Sequence, residues 1–363
     1  MNMKIIHHSN QLGIGGTEKC MQYLLEYLKG SGHECWCMYN RERTAVRGSQ
    51  REELLRAMLG PERMLAYSSE EEFFSLISAV HPDIFHAHRS GSPGEFPLVP
   101  RLKEYAGKIV ETNVFGGRDP AEFIDLTLYV NKELSRSGRG LMRRRAVLYP
   151  PVKRPAHGRD LRERLGLAPS TFVLGRIGRP DDRIFDPISL KALKIIEDSG
   201  ARDMIYLVQS PPPAMRRAAA ELGLETVLFL DAPVVSDDEV SEFFNTIDVL
   251  AHARLDGETF GLNIAEAMIH GKPVVSHLSR AANGHARFVR LCGYLAGTGD
   301  HEAYAGYLRK LYGDRALAAR LGGAGRRFAE ENFLLEKLGP RLEAYYADLW
   351  RPVPLLRRLS WLL

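Results

Sequence analysis

The sequence has few cysteines and no long apolar run. The first feature argues against a metal-cage protein, and the second argues against a membrane-spanning one. Four of the 363 residues are cysteine, and no second cysteine or histidine pair stands at the spacing of a metal cage. No apolar run approaches the roughly 20 residues that span a bilayer. The N-terminal MNMKIIHHSN is too short and too polar for a signal peptide. We therefore expect a cytoplasmic protein with reduced thiols and no bound metal.

The composition is that of a soluble globular protein, with 45% hydrophobic and 26% charged residues, and the length suits two domains. The net charge of +4 resides in residues 1–154, which carry 22 Lys and Arg against 18 Asp and Glu. The local basic cluster consists of Arg136, Arg139, Arg143, Arg144, Arg145, Lys153 and Arg154. A solvated surface is the ordinary interpretation, and a contact of Arg143-Arg144-Arg145 with anionic lipid or an anionic acceptor is the alternative. Without interleaved aromatic residues, the cluster predicts no nucleic-acid partner.

Short apolar runs alternate with helical stretches along both halves of the chain. We predict strands at residues 3–8, 35–39, 84–88, 109–112, 126–130, 147–149, 171–177, 205–209, 227–230, 249–251 and 274–275. This alternation indicates an α/β protein with parallel sheets and crossover helices. Tyr149-Pro150-Pro151-Val152 interrupts it and predicts an interdomain linker.

The stretch 249–277, VLAHARLDGETFGLNIAEAMIHGKPVVSH, carries the strongest local pattern. Glu258-Thr259-Phe260-Gly261 opens a helix that we predict from Leu262 to about His270, ended by Gly271. Glu258 precedes this helix and Glu266 lies one turn inside it. The free N–H groups of the helix start favour an anionic oxygen such as a phosphate. An ordinary βαβ unit with two surface glutamates is the alternative.

Two more places at strand ends suit a ligand. Gly15 and Gly16 follow the first strand and open a helix with an apolar face, and such a turn lets the backbone approach a phosphate. His86 and His88 end the strand at 84–88, where open α/β sheets bind their ligands. A packed histidine is the ordinary interpretation; if one of the two is functional, we favour His88.

The stretch 249–277 closely resembles the signature of the retaining glycosyltransferases of family 4, E-x7-E followed by EAM-x-x-G-x-PVV. The matching residues are Glu258, Glu266, Ala267, Met268, Gly271, Pro273, Val274 and Val275. Gly15-Gly16 with Glu18 is similar to the family's GG-x-E turn, and the stretch at 149–152 to its N-P-V-D linker, with Pro151 in place of Asn. The resemblance covers nearly the whole chain, with the motifs in the family's order.

This resemblance implies a GT-B fold, in which two Rossmann-like domains with parallel sheets face each other across a cleft. Residues 1–152 would bind the acceptor, residues 153–334 the nucleotide sugar, and residues 335–363 would form a helix and tail that return to the first domain. The implied activity is transfer of a sugar from a nucleotide-diphosphate sugar to an acceptor hydroxyl, with retention and without a metal or other cofactor. Bacterial surface glycan or lipopolysaccharide synthesis, with a glycan or lipid-linked acceptor, is the setting that the family implies.

The resemblance also implies roles for individual residues. Glu258 would bind hydroxyls of the donor sugar and Glu266 those of the ribose, while Gly15 and Gly16 would face the diphosphate. The helix start, formed by Thr259, Phe260, Gly261 and Leu262, would stabilise the same charge. The family's G-R-L motif is followed by a Lys that clamps the diphosphate with the Arg, but no Lys follows here. Arg176 and Arg179 both fit the Arg position; we favour Arg179, with Arg183 as the second cation.

One position departs from the family in a way that affects the mechanism. Many members carry a His in a V-x-T-x-H pattern, and Asn113 stands at that position here. Asn can hydrogen-bond a sugar hydroxyl but cannot act as a base. We therefore expect a front-face route, in which the departing phosphate takes the acceptor proton.

Three other interpretations stay open. The protein could be another GT-B enzyme, either a sugar-nucleotide epimerase or a phosphorylase. It could also be a non-catalytic sugar-nucleotide-binding partner, which Asn113 and the missing Lys would suit.

The tail at 355–363 is apolar with two arginines and suits either the inner face of a membrane or the protein's own surface.

Overall fold

A computed structural model describes residues 2–138, 143–201 and 203–352 of the chain. The chain forms two compact units. The first contains the residues up to Pro151 together with the helix that begins at Leu335, and the second is Val152–Leu334. Each unit contains a sheet of parallel strands with helices between them, which confirms the predicted α/β class.

The first unit is built on a seven-stranded parallel sheet. Its strands are β1 (Lys4–Ser9), β2 (Glu34–Asn40), β3 (Met64–Tyr67), β4 (Ile84–Arg89), β5 (Lys108–Asn113), β6 (Leu126–Tyr129) and β7 (Arg144–Val147). Their order in the sheet is β3-β2-β1-β4-β5-β6-β7. The chain therefore leaves β1 in one direction and returns on its other side at β4. In such sheets, ligands bind at the carboxyl ends of the two strands where the order reverses.

Helices connect these strands and cover the sheet. They are α1 (Gly16–Gly30), α2 (Arg41–Arg47), α3 (Glu52–Leu59), α4 (Glu70–Val80) and α5 (Lys132–Ser137). The apolar residues of α1, predicted as its packed face, are all buried: Cys20, Met21, Leu24, Leu25 and Leu28. Because helices cover the sheet, the central strands β1, β4 and β5 are buried along almost their whole length.

The second unit repeats the same architecture. Its strands are β8 (Phe172–Ile177), β9 (Met204–Gln209), β10 (Val227–Leu230), β11 (Val249–Ala251), β12 (Gly257–Glu258), β13 (Val274–His277), β14 (Ala282–Asn283) and β15 (Gly293–Ala296). Six form a parallel sheet in the order β10-β9-β8-β11-β13-β15, while β12 pairs with β14 apart from it. Its helices are α6 (Ile188–Asp198), α7 (Pro213–Glu221), α8 (Asp237–Thr246), α9 (Leu262–Ile269), α10 (Ala286–Cys292), α11 (His301–Gly313) and α12 (Arg315–Asn332). The order reverses between β8 and β11.

The last described helix, α13 (Leu335–Asp348), packs on the first unit. The Glu343 carboxylate accepts a hydrogen bond from the Tyr27 hydroxyl at 2.7 Å, and its other oxygen lies 2.9 Å from His33 Nε2. Further along, Arg144 Nη1 lies 3.0 Å from Asp348 Oδ2. The predicted helix extended to Trp350, two residues beyond its observed end. The tail at 355–363, for which a membrane contact was an alternative, lies outside the described residues.

Two features of the fold differ from the sequence prediction. The strand predicted at 147–149 lies earlier, as β7, because the two prolines that follow Tyr149 have no N–H groups to continue a ladder. Four strands were not predicted: β3 and β15, each four residues long, and β12 and β14, each two residues long.

The predicted exposed basic surface also needs correction at Arg143. This side chain is buried, with Nη2 3.4 Å from Glu111 Oε1, so it cannot reach a lipid headgroup. Arg144 is paired with Asp348, Lys153 with Asp237 at 2.9 Å and Arg154 with Glu330 at 3.5 Å. Most of the described cations of the cluster thus have acidic partners within their own unit.

None of the helices in the described part of the chain has both the length and the apolar character needed to cross a membrane. All four cysteines are buried and free. Burial raises the pKa of Cys20, Cys35 and Cys292 to about 12, so these thiols stay protonated at neutral pH.

Candidate functional site

In the second unit, the predicted signature folds as a strand, a loop and a helix. The helix α9 spans Leu262–Ile269, as the pattern predicted, and Gly271 follows it with a φ of 68°. Gly261 precedes it with a φ of 84°, a left-handed conformation that favours glycine. The N-cap residue Gly261 has no side chain to cap this helix, and in the first turn the Asn263 side-chain oxygen accepts from the Ile264 N–H at 3.0 Å. The Asn263 side chain donates to the Ile177 carbonyl at 3.1 Å, which holds the start of α9 against the end of β8.

The Glu258 carboxylate, on β12, lies within a cluster of polar groups. Its Oε1 is 3.1 Å from Arg254 Nη1 and 3.7 Å from His252 Nε2. Burial alone would raise the pKa of Glu258, but the nearby imidazole of His252 and the charge of Arg254 outweigh it, so the pKa is lowered. Glu258 is therefore a carboxylate at neutral pH.

The other predicted residues of this stretch differ in how they are placed. Glu266 is buried on α9, one turn inside the helix as predicted. Phe260 is also buried, and its ring packs 5.2 Å from the rings of both Phe288 and Phe333. Its side chain therefore belongs to the core. Thr259, which precedes Phe260, is half-buried.

The three candidate arginines are not equivalent. Arg183 is 75% exposed on its side chain and forms a forked pair with Asp181, at 2.8 and 2.9 Å. The pKa of Asp181 is lowered to about 2, chiefly by its side-chain hydrogen bond with Arg183, and the charge of the half-buried Arg179 adds a smaller effect. Arg176, at the carboxyl end of β8, is 7% exposed, and its Nη1 has no hydrogen-bond partner among the described residues. Burial lowers the pKa of Arg176, and the nearby charge of Arg254 acts in the same direction.

A buried guanidinium without a carboxylate partner is costly, so Arg176 is the position where an anionic ligand would gain most. The sequence favoured Arg179 with Arg183, because sequence spacing cannot show which cation is buried. In the structure, Arg176 is buried and its Nη1 has no partner among the described residues, whereas Arg179 and Arg183 lie in an accessible loop.

In the first unit, the predicted glycine turn forms and α1 begins at Gly16. No side chain caps this helix start, but the Glu18 carboxylate lies beside Gly15, where an added Cβ would collide with it. Glu18 Oε1 accepts hydrogen bonds from Ser9 Oγ at 3.4 Å and Gln11 Nε2 at 3.3 Å. The turn therefore already holds one negative charge. The role predicted for Gly15 and Gly16 toward a diphosphate stays a prediction.

His88 lies in a buried hydrogen-bonded network that the sequence did not reveal. His88 Nε2 is 3.0 Å from His7 Nδ1, and His7 Nε2 is 3.0 Å from the Tyr346 hydroxyl. The same hydroxyl is 2.6 Å from His86 Nδ1, and His86 Nε2 is 2.8 Å from Thr112 Oγ1. The parallel register of β1 and β4 pairs His7 with His86, although 78 residues separate them in the sequence. No linear spacing could have predicted this contact.

The network consists of neutral imidazoles. Burial lowers the pKa of His88 to about 3, and it also lowers the pKa of His7 and His86. His88 is buried and bonded to His7 through Nε2, while its Nδ1 has no hydrogen-bond partner among the described residues, so the functional role of His88 stays a prediction. The three histidines are the group in the described chain that could hold a metal ion, with ligand atoms within 4.8 Å of one another. Five of their six ring nitrogens already have hydrogen-bond partners, so no ion is needed to account for them.

Asn113 also differs from its predicted role. Its side-chain nitrogen donates to the Gly117 carbonyl at 2.8 Å, and its side-chain oxygen accepts from the Gly116 N–H at 2.7 Å. The residue is fully buried at the end of β5. Asn113 thus shapes the loop that follows β5, and its amide is not presented to a sugar.

Solved structures share this architecture. HepE of Anabaena, crystallised with UDP and glucose, matches with a TM-score of 0.76 and 17% identity, over 96% of this chain and 100% of that chain. WaaG, a glycosyltransferase involved in lipopolysaccharide biosynthesis, matches with a TM-score of 0.62 and 15% identity, over 93% of this chain and 99% of that chain. These likenesses define the fold as the GT-B type, with two Rossmann-like units, as predicted.

Sequence comparison points to one family over the second unit. Residues 162–314 match the family described as "Glycosyl transferases group 1". The D-inositol 3-phosphate glycosyltransferase of Streptomyces avermitilis is 30% identical over 203 residues, which is 51% of this chain. The match spans 43% of the length of that relative.

Proposed function

We propose that this protein is a retaining glycosyltransferase of family 4, which moves a sugar from a nucleoside-diphosphate sugar to an acceptor hydroxyl without a metal ion. The observation that carries the proposal is Arg176, a buried guanidinium with an unpartnered Nη1 at the carboxyl end of β8. It lies within residues 162–314, the range that matches the group 1 family. The start of α9, whose N-cap residue Gly261 has no side chain, is tied to the same strand end.

These groups suit the departure of a nucleoside diphosphate. Negative charge grows on the leaving phosphate as the bond to the anomeric carbon breaks. Arg176 supplies a fixed positive charge, and the N–H groups at Gly261 and Leu262 supply the positive end of the helix dipole. Because both are held in place before reaction, little reorganisation is needed. We assign Glu266 to the ribose hydroxyls and Glu258 to the hydroxyls of the transferred sugar.

The proposed reaction needs no side chain as base. The acceptor oxygen attacks the anomeric carbon on the face from which the diphosphate leaves. The new C–O bond forms as the old one breaks, and the acceptor proton moves to the departing phosphate oxygen. Two contacts support this route, because Asn113 holds its own loop and His88 is bonded to His7.

We place the reaction in bacterial surface glycan or lipopolysaccharide synthesis, with a glycan or lipid-linked acceptor. The likeness to WaaG, a glycosyltransferase involved in lipopolysaccharide biosynthesis, supports this setting. HepE was crystallised with UDP and glucose, so a UDP-sugar is the first donor to test. The cytoplasmic location stays a prediction.

Thermal melting with a panel of nucleoside diphosphates and nucleotide sugars, in the presence of EDTA, tests the proposal. A ligand at 100 times its Kd stabilises the folded protein by about 2.7 kcal/mol, which raises Tm by a few degrees. We expect one nucleotide class to produce this shift in the wild type and in Arg326→Gln, which removes an exposed pair with Glu330. Arg176→Met should abolish it.

A transfer assay with the donor so identified completes the test. Sugar transfer with retained anomeric configuration supports the proposal. Binding with neither sugar transfer nor slow hydrolysis of the donor would identify a non-catalytic partner. Conversion of the donor in the absence of an acceptor would identify an epimerase. The absence of any nucleotide-induced shift would contradict the nucleotide-sugar function altogether.

A further inference from the structure

The guanidinium of Arg254 connects two carboxylates in the loop between β11 and β12. Its Nε and Nη2 lie 2.5 and 3.0 Å from the two carboxylate oxygens of Asp256. Its Nη1 lies 3.1 Å from Glu258 Oε1. Two nitrogens of the planar guanidinium, Nε and Nη2, thus bind Asp256, and the third, Nη1, binds Glu258.

The two oxygens of Glu258 have different surroundings. Oε1 accepts from Arg254 and lies 3.7 Å from His252 Nε2, whereas Oε2 has no partner among the described residues. The side chain is 18% exposed and that of Arg254 19%, so the pair is neither sealed in the core nor free in solvent. One oxygen is thus anchored and the other stays available to accept a hydrogen bond.

The groups around this pair are themselves held in place. His252 Nδ1 is 2.9 Å from Ser276 Oγ, which fixes the imidazole that faces Glu258. His285, just before α10, has Nδ1 3.4 Å from the Glu258 carbonyl oxygen and Nε2 3.1 Å from the His277 carbonyl. Burial lowers the pKa of His285 to about 4, so this ring is neutral above that pH. Arg254 therefore supplies a permanent positive charge next to the Glu258 carboxylate.

We propose that Arg254, oriented by Asp256, is a positioning residue for Glu258. It anchors Oε1 and keeps the carboxylate ionised, so that Oε2 accepts a hydroxyl of the transferred sugar. This inference rests on the proposed function, because it assigns Glu258 to the sugar. It makes Arg254 a determinant of how the sugar is held and leaves binding of the nucleoside diphosphate to other residues.

Removing the guanidinium has two physical consequences. Without it, the Glu258 side chain gains rotamer freedom, and the available oxygen is no longer held in one place. Burial would still raise the pKa of Glu258, while the opposing charge of Arg254 would be absent. The variant Arg254→Gln should therefore carry a Glu258 that protonates at a higher pH than in the wild type.

Binding measurements separate this inference from the proposed function. We would measure Kd for a nucleoside diphosphate and for the matching nucleotide sugar, in the wild type, Arg254→Gln and the matched control Arg326→Gln. Arg254→Gln should weaken nucleotide-sugar binding roughly tenfold, the loss expected for one charge-assisted hydrogen bond, and leave the diphosphate within about twofold. Equal Kd values for the nucleotide sugar in the wild type and Arg254→Gln would overturn the inference alone. Failure of the wild type to bind either ligand would overturn the proposed function as well.

The pH profile and a double mutant test the mechanism of positioning. The acid limb of kcat/KM should move to higher pH in Arg254→Gln. Arg254→Lys keeps the charge but not the fork, so it should restore the position of the limb and recover only part of kcat. In the background of Glu258→Gln, the further change Arg254→Gln should have little effect, since the two residues act together. Additive losses with an unshifted acid limb would show that Arg254 acts only on folding.

Discussion

At the residue scale, Arg176 shows how a ligand-binding position can reduce stability. Its buried guanidinium has an unpartnered Nη1, and burial of an uncompensated charge costs folding free energy. We expect Arg176→Met to raise the free energy of unfolding of the ligand-free protein by about 1 kcal/mol, while nucleotide binding is lost. Urea unfolding without ligand measures this change. The exposed change Arg326→Met serves as the control and should alter stability by less than about 0.5 kcal/mol. A clear loss of stability in Arg176→Met would show that the ligand-free fold satisfies this charge.

Glu111 is the opposite case, a buried charge that is fully compensated. Its Oε2 is 2.8 Å from Arg89 Nε, and its Oε1 accepts from Thr127 Oγ1 at 2.7 Å and lies 3.4 Å from Arg143. Glu111→Gln leaves the two guanidinium groups short of one negative charge, so it should cost about 3–5 kcal/mol of stability. Urea unfolding at neutral pH measures the cost.

The matched control for Glu111 is Asp198, which pairs with Lys194 on the surface of α6 at 2.7 Å. Asp198→Asn should cost less than about 1 kcal/mol, because solvent screens an exposed pair. Similar losses in the two variants would mean that the Glu111 network is as well solvated as the surface pair.

At the scale of elements, the contact between α13 and the first sheet depends on neutral histidines. Tyr346 hydrogen-bonds both His7 and His86, whose pKa values burial lowers from the usual 6.5. The unfolded chain binds these protons as the pH falls below about 6.5, but the folded chain does not. Stability is therefore fully present above pH 6.5 and is lost toward lower pH, by up to about 1.4 kcal/mol per pH unit for each histidine.

Urea unfolding followed at pH 7.5 and 5.5 would measure this dependence. His7→Gln should make the change between the two pH values smaller than in the wild type, even though it lowers stability at both. His301→Gln, in the second unit, should leave the change as it is. An unfolding free energy that does not change between pH 7.5 and 5.5 would show that the imidazoles are protonated in the folded protein.

The sequence predicted elements well wherever an apolar pattern was long or bounded by glycine. The helix α9, the strands β10 and β11 and the buried face of α1 all lie where the pattern placed them. The strands β3 (MLAY) and β15 (GYLA) were missed because, unlike the equally short β10 (VLFL), they include Ala or Gly and carry a weaker apolar pattern. The site was harder to predict, because burial decides it: Arg176, Arg183 and Asn113 are all polar residues in loops or at strand ends. The contacts that separate their roles come from partners such as Asp181 and Gly117, which no spacing rule identifies as partners.

At the scale of the whole molecule, the two units differ in how the chain builds them. The second is one continuous segment, Val152–Leu334, whereas the first needs α13 to complete it. We expect residues 152–334 expressed alone to fold cooperatively, and residues 1–151 alone to expose the apolar surface that α13 covers. Circular dichroism with urea unfolding would measure the first, and binding of a hydrophobic dye the second. A cooperative transition of 1–151 without dye binding would contradict the dependence on α13.

The position of Tyr346 also sets an order for synthesis. A ribosome releases the first sheet early, but the hydroxyl that bonds His7 and His86 emerges only after the entire second unit has been translated. During that interval the nascent first unit lacks the Tyr346 hydroxyl that bonds His7 and His86 in the folded protein. We therefore expect chaperones to bind it. A premature stop codon shortly after Leu334 would accordingly leave the second unit whole and deprive the first of its last helix. Such a lesion would damage the unit whose sheet is translated before the second unit.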